Sequence, residues 1–386
     1  MAASPNIGDD TGPQQSPPMW RALGLMSGTS LDGIDVAMIE TDGQERVTPG
    51  PSLTIPYHET FRERLRSVLG GVGPVAEVEQ ELTRLHADVV EQFFGHHQAI
   101  AIDLVGFHGH TILHRPAECR TWQLGDGALL ARLLELDVIA DFRSADVAAG
   151  GEGAPLAPLF HAALVGALRK PLAVLNIGGV ANVTWIGEGR QILAFDTGPG
   201  NALIDDWVRQ RTGAAADIDG AFARAGRAST AHIARFLTLP FFGLRPPKSL
   251  DRDDFQTIVP EGLSLEDGAA TVTEMTAAAV ATAVRHFPEP PLEWLACGGG
   301  RRNPALMEAL RRRLSASVRP VEQVGWDGDA LEAQAFAYLA VRSLRGLPLS
   351  LPSTTGVSRP ISGGRLFSRP EDGLRTVGPN PGPVLS

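Results

Sequence analysis

From residue 20 onward, apolar residues come in short blocks or at helical spacing, and the pattern divides the chain into elements. The blocks 22–26 and 34–39 read as antiparallel strands joined by small and hydroxyl residues, with a third strand near 53–56. Helices follow at about 60–69 and 75–97. In the second, Val75, Val78, Leu82, Leu85, Val89, Val90 and Phe93 recur at helical spacing. A strand at 104–108 ends in a run of three histidines closed by Pro116. A short strand at 122–124 leads through Gly125-Asp-Gly127 into a helix to Glu135, and 138–142 is another strand. Beyond it, Gly150, Gly151, Gly153, Pro155 and Pro158 forbid regular structure around Glu152 to Leu156.

After a helix over 156–168 the opening pattern recurs. Strands at 172–176, 183–186 and 192–195 have Gly-rich joints. Helices follow at about 200–211, 229–238, 265–287, 303–314 and 330–345, with a strand at 294–296 between two of them. A strand triplet followed by helices thus occurs twice. The order of elements, rather than the letters, predicts an α/β fold of two lobes, with ligands in the cleft where strands end. The expected division is a polar, disordered tail at 1–18, a first lobe of 19–140 plus about 335–370, and a second lobe of 141–334.

Composition narrows the function. Lys plus Arg is 34 against 44 Asp plus Glu, a formal net charge of -10. That disfavours nucleic acid, which needs a basic surface. Two distant cysteines make no disulfide framework. No run reaches the roughly 18 apolar residues of a membrane span. A cytoplasmic protein with no membrane partner is the expectation.

The candidate chemistry lies at the joints. Between the first two strands, Gly28 and Gly33 permit unusual backbone angles. Thr29 and Ser30 offer hydroxyls and N–H groups that cradle phosphate oxygens, and Asp32 and Asp35 are candidate metal ligands. An ordinary hairpin turn is the alternative, and the absence of Gly-Lys-Ser/Thr excludes a P-loop. In Phe195-Asp-Thr-Gly-Pro-Gly-Asn201, Asp196 stands at a strand end, Gly198 and Gly200 permit close approach, and the next helix presents its N-terminus to anions. Asp196 is then a general base, or else an N-cap. Gly178 and Gly179 are a phosphate contact or a tight turn. Gly298, Gly299 and Gly300 leave bare backbone for an adenine ring or ribose, with Pro304 in the next helix's first turn. Cys297 reads as a small buried residue. His110 and His114 would share a face for zinc on a helix, but the strand end and Pro116 argue against a helix there. The segment Asp141 to Pro155, read by itself, is a solvated surface loop.

The wording Met26-Ser-Gly-Thr-Ser-Leu-Asp-Gly33 strongly resembles the opening motif of the anhydro-N-acetylmuramic acid kinases. The later motifs match that family in order, from about Arg21 to Arg345. The resemblance implies a two-lobe actin-like ATPase (ribonuclease H-like) fold with ATP and sugar in the interlobe cleft. It implies ATP contacts from Gly28, Thr29, Ser30, Leu31, Asp32, Gly33, Ile34 and Asp35 in the first joint. Asn176, Gly178, Gly179, Gly198, Gly200 and Asn201 in the second, and Gly298, Gly299, Gly300 and Asn303 in the third, complete that set. His108 and Thr111 would wall the sugar pocket, and Asp141, Arg143, Asp146 and Glu332 would recognise the sugar. A guanidinium such as that of Arg143 suits a carboxylate. Asp196 matches the family's catalytic base, and Lys248 lies in a matching Pro-Lys-Ser stretch. The implied reaction uses ATP, Mg²⁺ and water to open the anhydro bridge and phosphorylate O6 during cell-wall recycling. A homodimer is compatible with this. The rivals are a levoglucosan-type anhydro-sugar kinase and an ATP-gated binding protein without sugar turnover. The sequence departs from the family at His110, where Gln is usual, at Gly127, where Pro is usual, and at Gln334.

Overall fold

The computed structural model describes residues 17–98, 100–250, 255 and 260–370. The expected disordered tail falls, apart from residues 17 and 18, outside them.

The first sheet is built from β1 (Trp20–Ser27), β2 (Gly33–Thr41), β3 (Val47–Pro56), β4 (Leu104–Arg115), β5 (Arg120–Leu124) and β6 (Val138–Ala140). The second comprises β7 (Leu172–Ile177), β8 (Val180–Ile186), β9 (Ile192–Pro199), β10 (Glu293–Cys297) and β11 (Ser317–Pro320). β12 (Arg365–Phe367) returns to the edge of the first sheet beside β6.

The spatial order of the first sheet is β3-β2-β1-β4-β6, and that of the second is β9-β8-β7-β10-β11. Directions match as well. The first three strands of each half pair antiparallel, and the next two join in parallel. The fold is therefore a duplicated mixed α/β unit, the architecture of the actin-like ATPases. The doubled strand triplet in the sequence is this repeat.

The helix Leu331–Leu344 lies between the sheets and is buried almost all round, as an element packed on both sides must be. Its backbone touches the first sheet so closely that a Cβ on Gly24 would meet the Ala333 carbonyl oxygen at 1.7 Å. One on Gly106 would meet that of Phe336 at 2.2 Å. Its other side shares a core with Leu172, Val174, Leu295 and Cys297 of the second sheet. One rigid element thus carries Glu332 to the place where both halves present their joints.

Three local expectations change. β4 does not stop at residue 108 but runs to Arg115, because its second half finds a new antiparallel partner in β5. Gly109, at φ +71°, makes the break between the two pairings. The loop after β6 contains a short helix, Ser144–Ala148, ahead of the glycines. β11 and β12 went unread, being four and three residues long and without a buried, alternating face. Among the described residues no helix is long and apolar enough to cross a membrane.

Candidate functional site

The first joint, between β1 and β2, is an open turn. Leu31, at φ +60°, donates its N–H to the Gly28 carbonyl at 3.1 Å. The turn is held from outside by the Arg62 guanidinium on the Leu31 carbonyl, 2.9 Å, and by the Tyr57 N–H on the Asp32 carbonyl, 2.9 Å. Thr29 and Ser30 are exposed. A Cβ on Gly28 would find only the Ser30 hydroxyl, at 3.5 Å. Gly33 and Ile34 are buried inside β2, so only the front of the motif faces a ligand. Asp35 accepts from the Thr54 hydroxyl at 2.7 Å. Its carboxyl is pushed up to about 6, chiefly by burial and further by Asp32, Glu332 and Asp329.

The second joint, between β7 and β8, is closed. The Gly178 carbonyl accepts from the Asn201 N–H at 2.7 Å, and the Gly179 carbonyl accepts from the N–H groups of Gly200 and Ala202 at 2.9 and 3.3 Å. The start of the helix Ala202–Thr212 is therefore spent on the turn facing it. The expectation that this helix offers its first N–H groups to an anion is corrected for Gly200, Asn201 and Ala202. The glycine at 200 is required by this contact, since its Cβ would lie 2.1 Å from the Gly178 oxygen.

Asp196 lies within β9, and Asn201 precedes the first residue of the helix. Asp196 is thus not the N-cap. Its N–H donates to the Lys248 carbonyl, 3.0 Å, and one carboxylate oxygen accepts the Leu250 N–H, 2.8 Å. The carboxyl is pushed up to about 7, mainly by burial. The Leu250 hydrogen bond, Arg143 and Lys248 oppose the rise, and Glu152 adds to it. Lys248 donates to the Phe241 carbonyl at 3.1 Å, and its ammonium sits 4.1 Å from the Phe241 ring centre. Burial brings it down to about 8.

The loop after β6 supplies the opposite wall. Arg143 donates to His108 Nε2 at 3.0 Å and to the Gly153 carbonyl at 2.7 Å. His108 donates Nδ1–H to the Gly109 carbonyl at 2.9 Å. With Nε2 accepting and Nδ1 donating, the ring is neutral, which accords with a pKa driven down by burial and by Arg143. Burial lowers Arg143 to about 10, against the pull of Glu332, Asp146 and Asp196. Glu332 accepts from the Asn176 amide at 3.2 Å. Glu332 is exposed. The protein packed around it nevertheless raises its pKa, against Arg143 and Asn176.

Other residues of the sequence set lie differently. Asp146 is buried and its oxygens accept from the Gly153 N–H at 2.7 Å, the Thr355 hydroxyl at 2.6 Å and the Ser350 hydroxyl. It ties the loop to the 350–355 segment. Asp141 is exposed at φ +57°, and Thr111 accepts from Gln123 at 3.2 Å. Asn303 caps the helix Pro304–Arg313, with Pro304 first in that helix. Gly298 and Gly300 press on the end of β7, where Cβ atoms would meet Asn176 Oδ1 at 2.4 Å and Ile177 Cγ2 at 2.3 Å, while Gly299 is exposed. His110 bonds to Ser27 Oγ at 2.9 Å, and His114 to Thr121 Oγ1 at 3.0 Å and the Glu152 carbonyl at 2.9 Å. Among the described residues no group of three His, Cys, Asp or Glu is placed to hold a metal ion. Sequence reasoning passed over Glu152, which carried no signal beyond being an acidic residue between glycines.

A sequence model of the family described as anhydro-N-acetylmuramic acid kinase matches residues 20–369. The chain is 58% identical over 349 residues to an anhydro-N-acetylmuramic acid kinase of Paramagnetospirillum magneticum, covering 89% of this chain and 98% of that one. It is 56% identical to one of Rhodospirillum rubrum, covering 89% and 93%. Among solved structures it is similar to the activator of 2-hydroxyisocaproyl-CoA dehydratase from Clostridium difficile with bound ADPNP. That likeness has a TM-score of 0.44 and 14% identity, over 84% of this chain and 96% of that one.

Proposed function

The chain belongs to the anhydro-N-acetylmuramic acid kinase family, and on that premise we propose how its residues divide the reaction. The enzyme uses ATP and water to convert 1,6-anhydro-N-acetylmuramic acid to N-acetylmuramic acid 6-phosphate, a step of peptidoglycan recycling. Water attacks the anomeric carbon, the bond from C1 to O6 breaks, and O6 takes the γ-phosphoryl group as ADP leaves. Asp196 accepts the proton that the water gives up. The observation that carries this assignment is the buried Asp196 carboxyl within β9, held by the Leu250 N–H, and burial pushes its pKa up to about 7. A base with that pKa is ionised in useful amount at neutral pH yet still proton-hungry.

Gly28, Thr29 and Ser30 take the phosphates of ATP on their open turn. The Gly299 side of the third joint takes the nucleoside. Arg143, braced by His108 and Gly153, binds the lactyl carboxylate. Glu332 and Asn176 orient the sugar between the halves. The first joint offers two carboxylates, the hard oxygen donors that Mg²⁺ takes from one or two residues beside its waters and the phosphates. Asp32 and Asp35 would hold Mg²⁺, which when bound offsets phosphate charge. The cytoplasm is the setting this reading assigns to the enzyme.

Mass spectrometry of products made in oxygen-18 water tests the reaction. The expected outcome is one label, at the anomeric oxygen of the sugar phosphate, with none in ADP. Equal turnover of levoglucosan would remove the lactyl group from the reading. Label in inorganic phosphate alone would make the protein an ATPase without sugar turnover.

A further inference from the structure

We propose that Glu152 is a positioning residue for the base Asp196, held near it by the three-residue strap Lys248-Ser249-Leu250 so that its charge raises the pH at which the base works. The proposal rests on the reading of Asp196 as the base.

The strap makes contacts in alternation. The Lys248 carbonyl accepts the Asp196 N–H, the Ser249 hydroxyl donates to Glu152 Oε2, and the Leu250 N–H donates to the Asp196 carboxylate. Two carboxylates from different segments are thus fixed by consecutive residues. Glu152 cannot drift away, because its backbone is tied on both sides. Its N–H donates to the Thr355 carbonyl at 2.7 Å, and its carbonyl accepts from His114 Nε2 at 2.9 Å. The flanking Gly151 and Gly153 donate their N–H groups to Asp146 at 2.9 and 2.7 Å. Among the described residues no lysine or arginine forms an ion pair with Glu152.

Among the described residues three charged groups act on Asp196. Arg143, from the loop after β6, and Lys248, from the strap, favour its ionised form; Glu152 disfavours it. Burial raises the carboxyl most, and the Leu250 hydrogen bond and the two cations draw it back down. The nearby carboxylate cancels part of that pull without touching the substrate. The Ser249 hydroxyl on Glu152 Oε2 keeps that side chain aimed.

The test is the pH profile of kcat/KM, which reports the free enzyme. Glu152→Gln keeps the shape and can still accept from Ser249. The acid limb should move down by about 1 in pH, so that at pH 5.5 the variant shows a roughly five- to tenfold larger fraction of its own plateau. KM for the sugar should hold within about twofold, and Glu152→Asp should restore the wild-type limb. The carbon-13 titration of the Asp196 carboxyl should move the same way in Glu152→Gln and in Glu152→Met, which also discards the Ser249 acceptor. An unmoved limb and titration would overturn the proposal. A raised KM for the sugar with an unmoved limb would overturn it too, and make Glu152 a substrate contact. Failure of the underlying reading looks different: Asp196→Asn would then keep its activity.

Discussion

Between β1 and β2 the chain leaves Thr29 and Ser30 exposed on a turn braced from behind by Arg62 and Tyr57. Between β7 and β8, at the matching place in the repeat, the carbonyls of Gly178 and Gly179 take up the N–H groups of Gly200, Asn201 and Ala202. Strand order and direction are the same in both halves. The first joint keeps its donors for a ligand. The second spends them on holding β9 to the turn, which fixes where the Asp196 carboxylate points. On the function proposed above, the duplicated fold separates phosphate binding from placement of the base.

The largest expected effect tests that separation at Asp196. Asp196→Asn should cut kcat by about 10² to 10⁴, the usual worth of a positioned base, while calorimetry finds ATP and sugar binding intact. Asn keeps the oxygen that accepts the Leu250 N–H, so the melting temperature holds. At pH 8 it should rise, because burying the ionised carboxylate costs stability there. Wild-type turnover would hand the base role to another residue. Arg143→Ala comes next. Truncating one partner of a buried guanidinium–carboxylate contact costs on the order of 2–5 kcal/mol. The loss should appear in KM for the sugar and scarcely in KM for ATP. Equal losses would mean that Arg143 shapes the cleft through His108 and Gly153 instead of reading the sugar.

The glycines of the two joints give the next contrast. Gly200→Ala places a Cβ 2.1 Å from a backbone oxygen, and should destabilise the protein by about 2–4 kcal/mol. Gly28→Ala meets nothing closer than a hydroxyl at 3.5 Å. It should leave the melting temperature in place but raise KM for ATP roughly tenfold, the worth of one hydrogen bond to a charged group. If Gly28→Ala unfolded the protein while Gly200→Ala did not, the open and closed joints would have to be exchanged.

How far the sequence could be read follows the same line. The triplets of strands were legible because each carries an apolar run bounded by glycines, and the motif at 26–33 was specific enough to name a family. What the letters hid was the use made of each glycine. Gly28 and Gly200 look alike in a motif. One faces open space and the other a carbonyl, and only the packing of β7 against the helix at 202–212 tells them apart. Asp146 and Arg143 likewise sit three residues apart in one loop. Asp146 is consumed by Ser350 and Thr355, more than 200 positions away, which no local pattern announces. Glu152 was passed over for that reason as well, since its partner Ser249 is 97 positions distant.

The smallest expected effect distinguishes the halves by acid. His86 and His110 are buried and held at about 4, and His108 well below 6.5, by burial above all. All three lie in β4 or in the helix Val75–His96, where His86 meets Phe107 edge to face. The second half has His161, held at about 4, bonded to Thr184 of β8. A histidine depressed in the folded state gives its full stability above about 6.5 and loses it as pH falls toward 4, because only the unfolded chain takes the proton. The slope is about 1.4 kcal/mol per pH unit for each group. Raised carboxyls do the reverse. Asp35 in the first half and Asp196 in the second bind a proton when folded before they do when unfolded, so each adds stability as pH falls below about 6 and about 7. Three histidines against one aspartate leave the first sheet a net loss; in the second half His161 and the partly exposed His286, also lowered, stand against Asp196 and leave a smaller one. Glu332, on the helix between them, acts with the aspartates for both. Amide exchange followed from pH 6.5 to 4.5 should therefore show β1, β2 and β4 losing protection before β7, β8 and β9. His110→Gln removes one titrating ring and should flatten that loss in the first sheet alone. If protection falls equally in both sheets and His110→Gln changes nothing, the buried histidines do not set the acid limit.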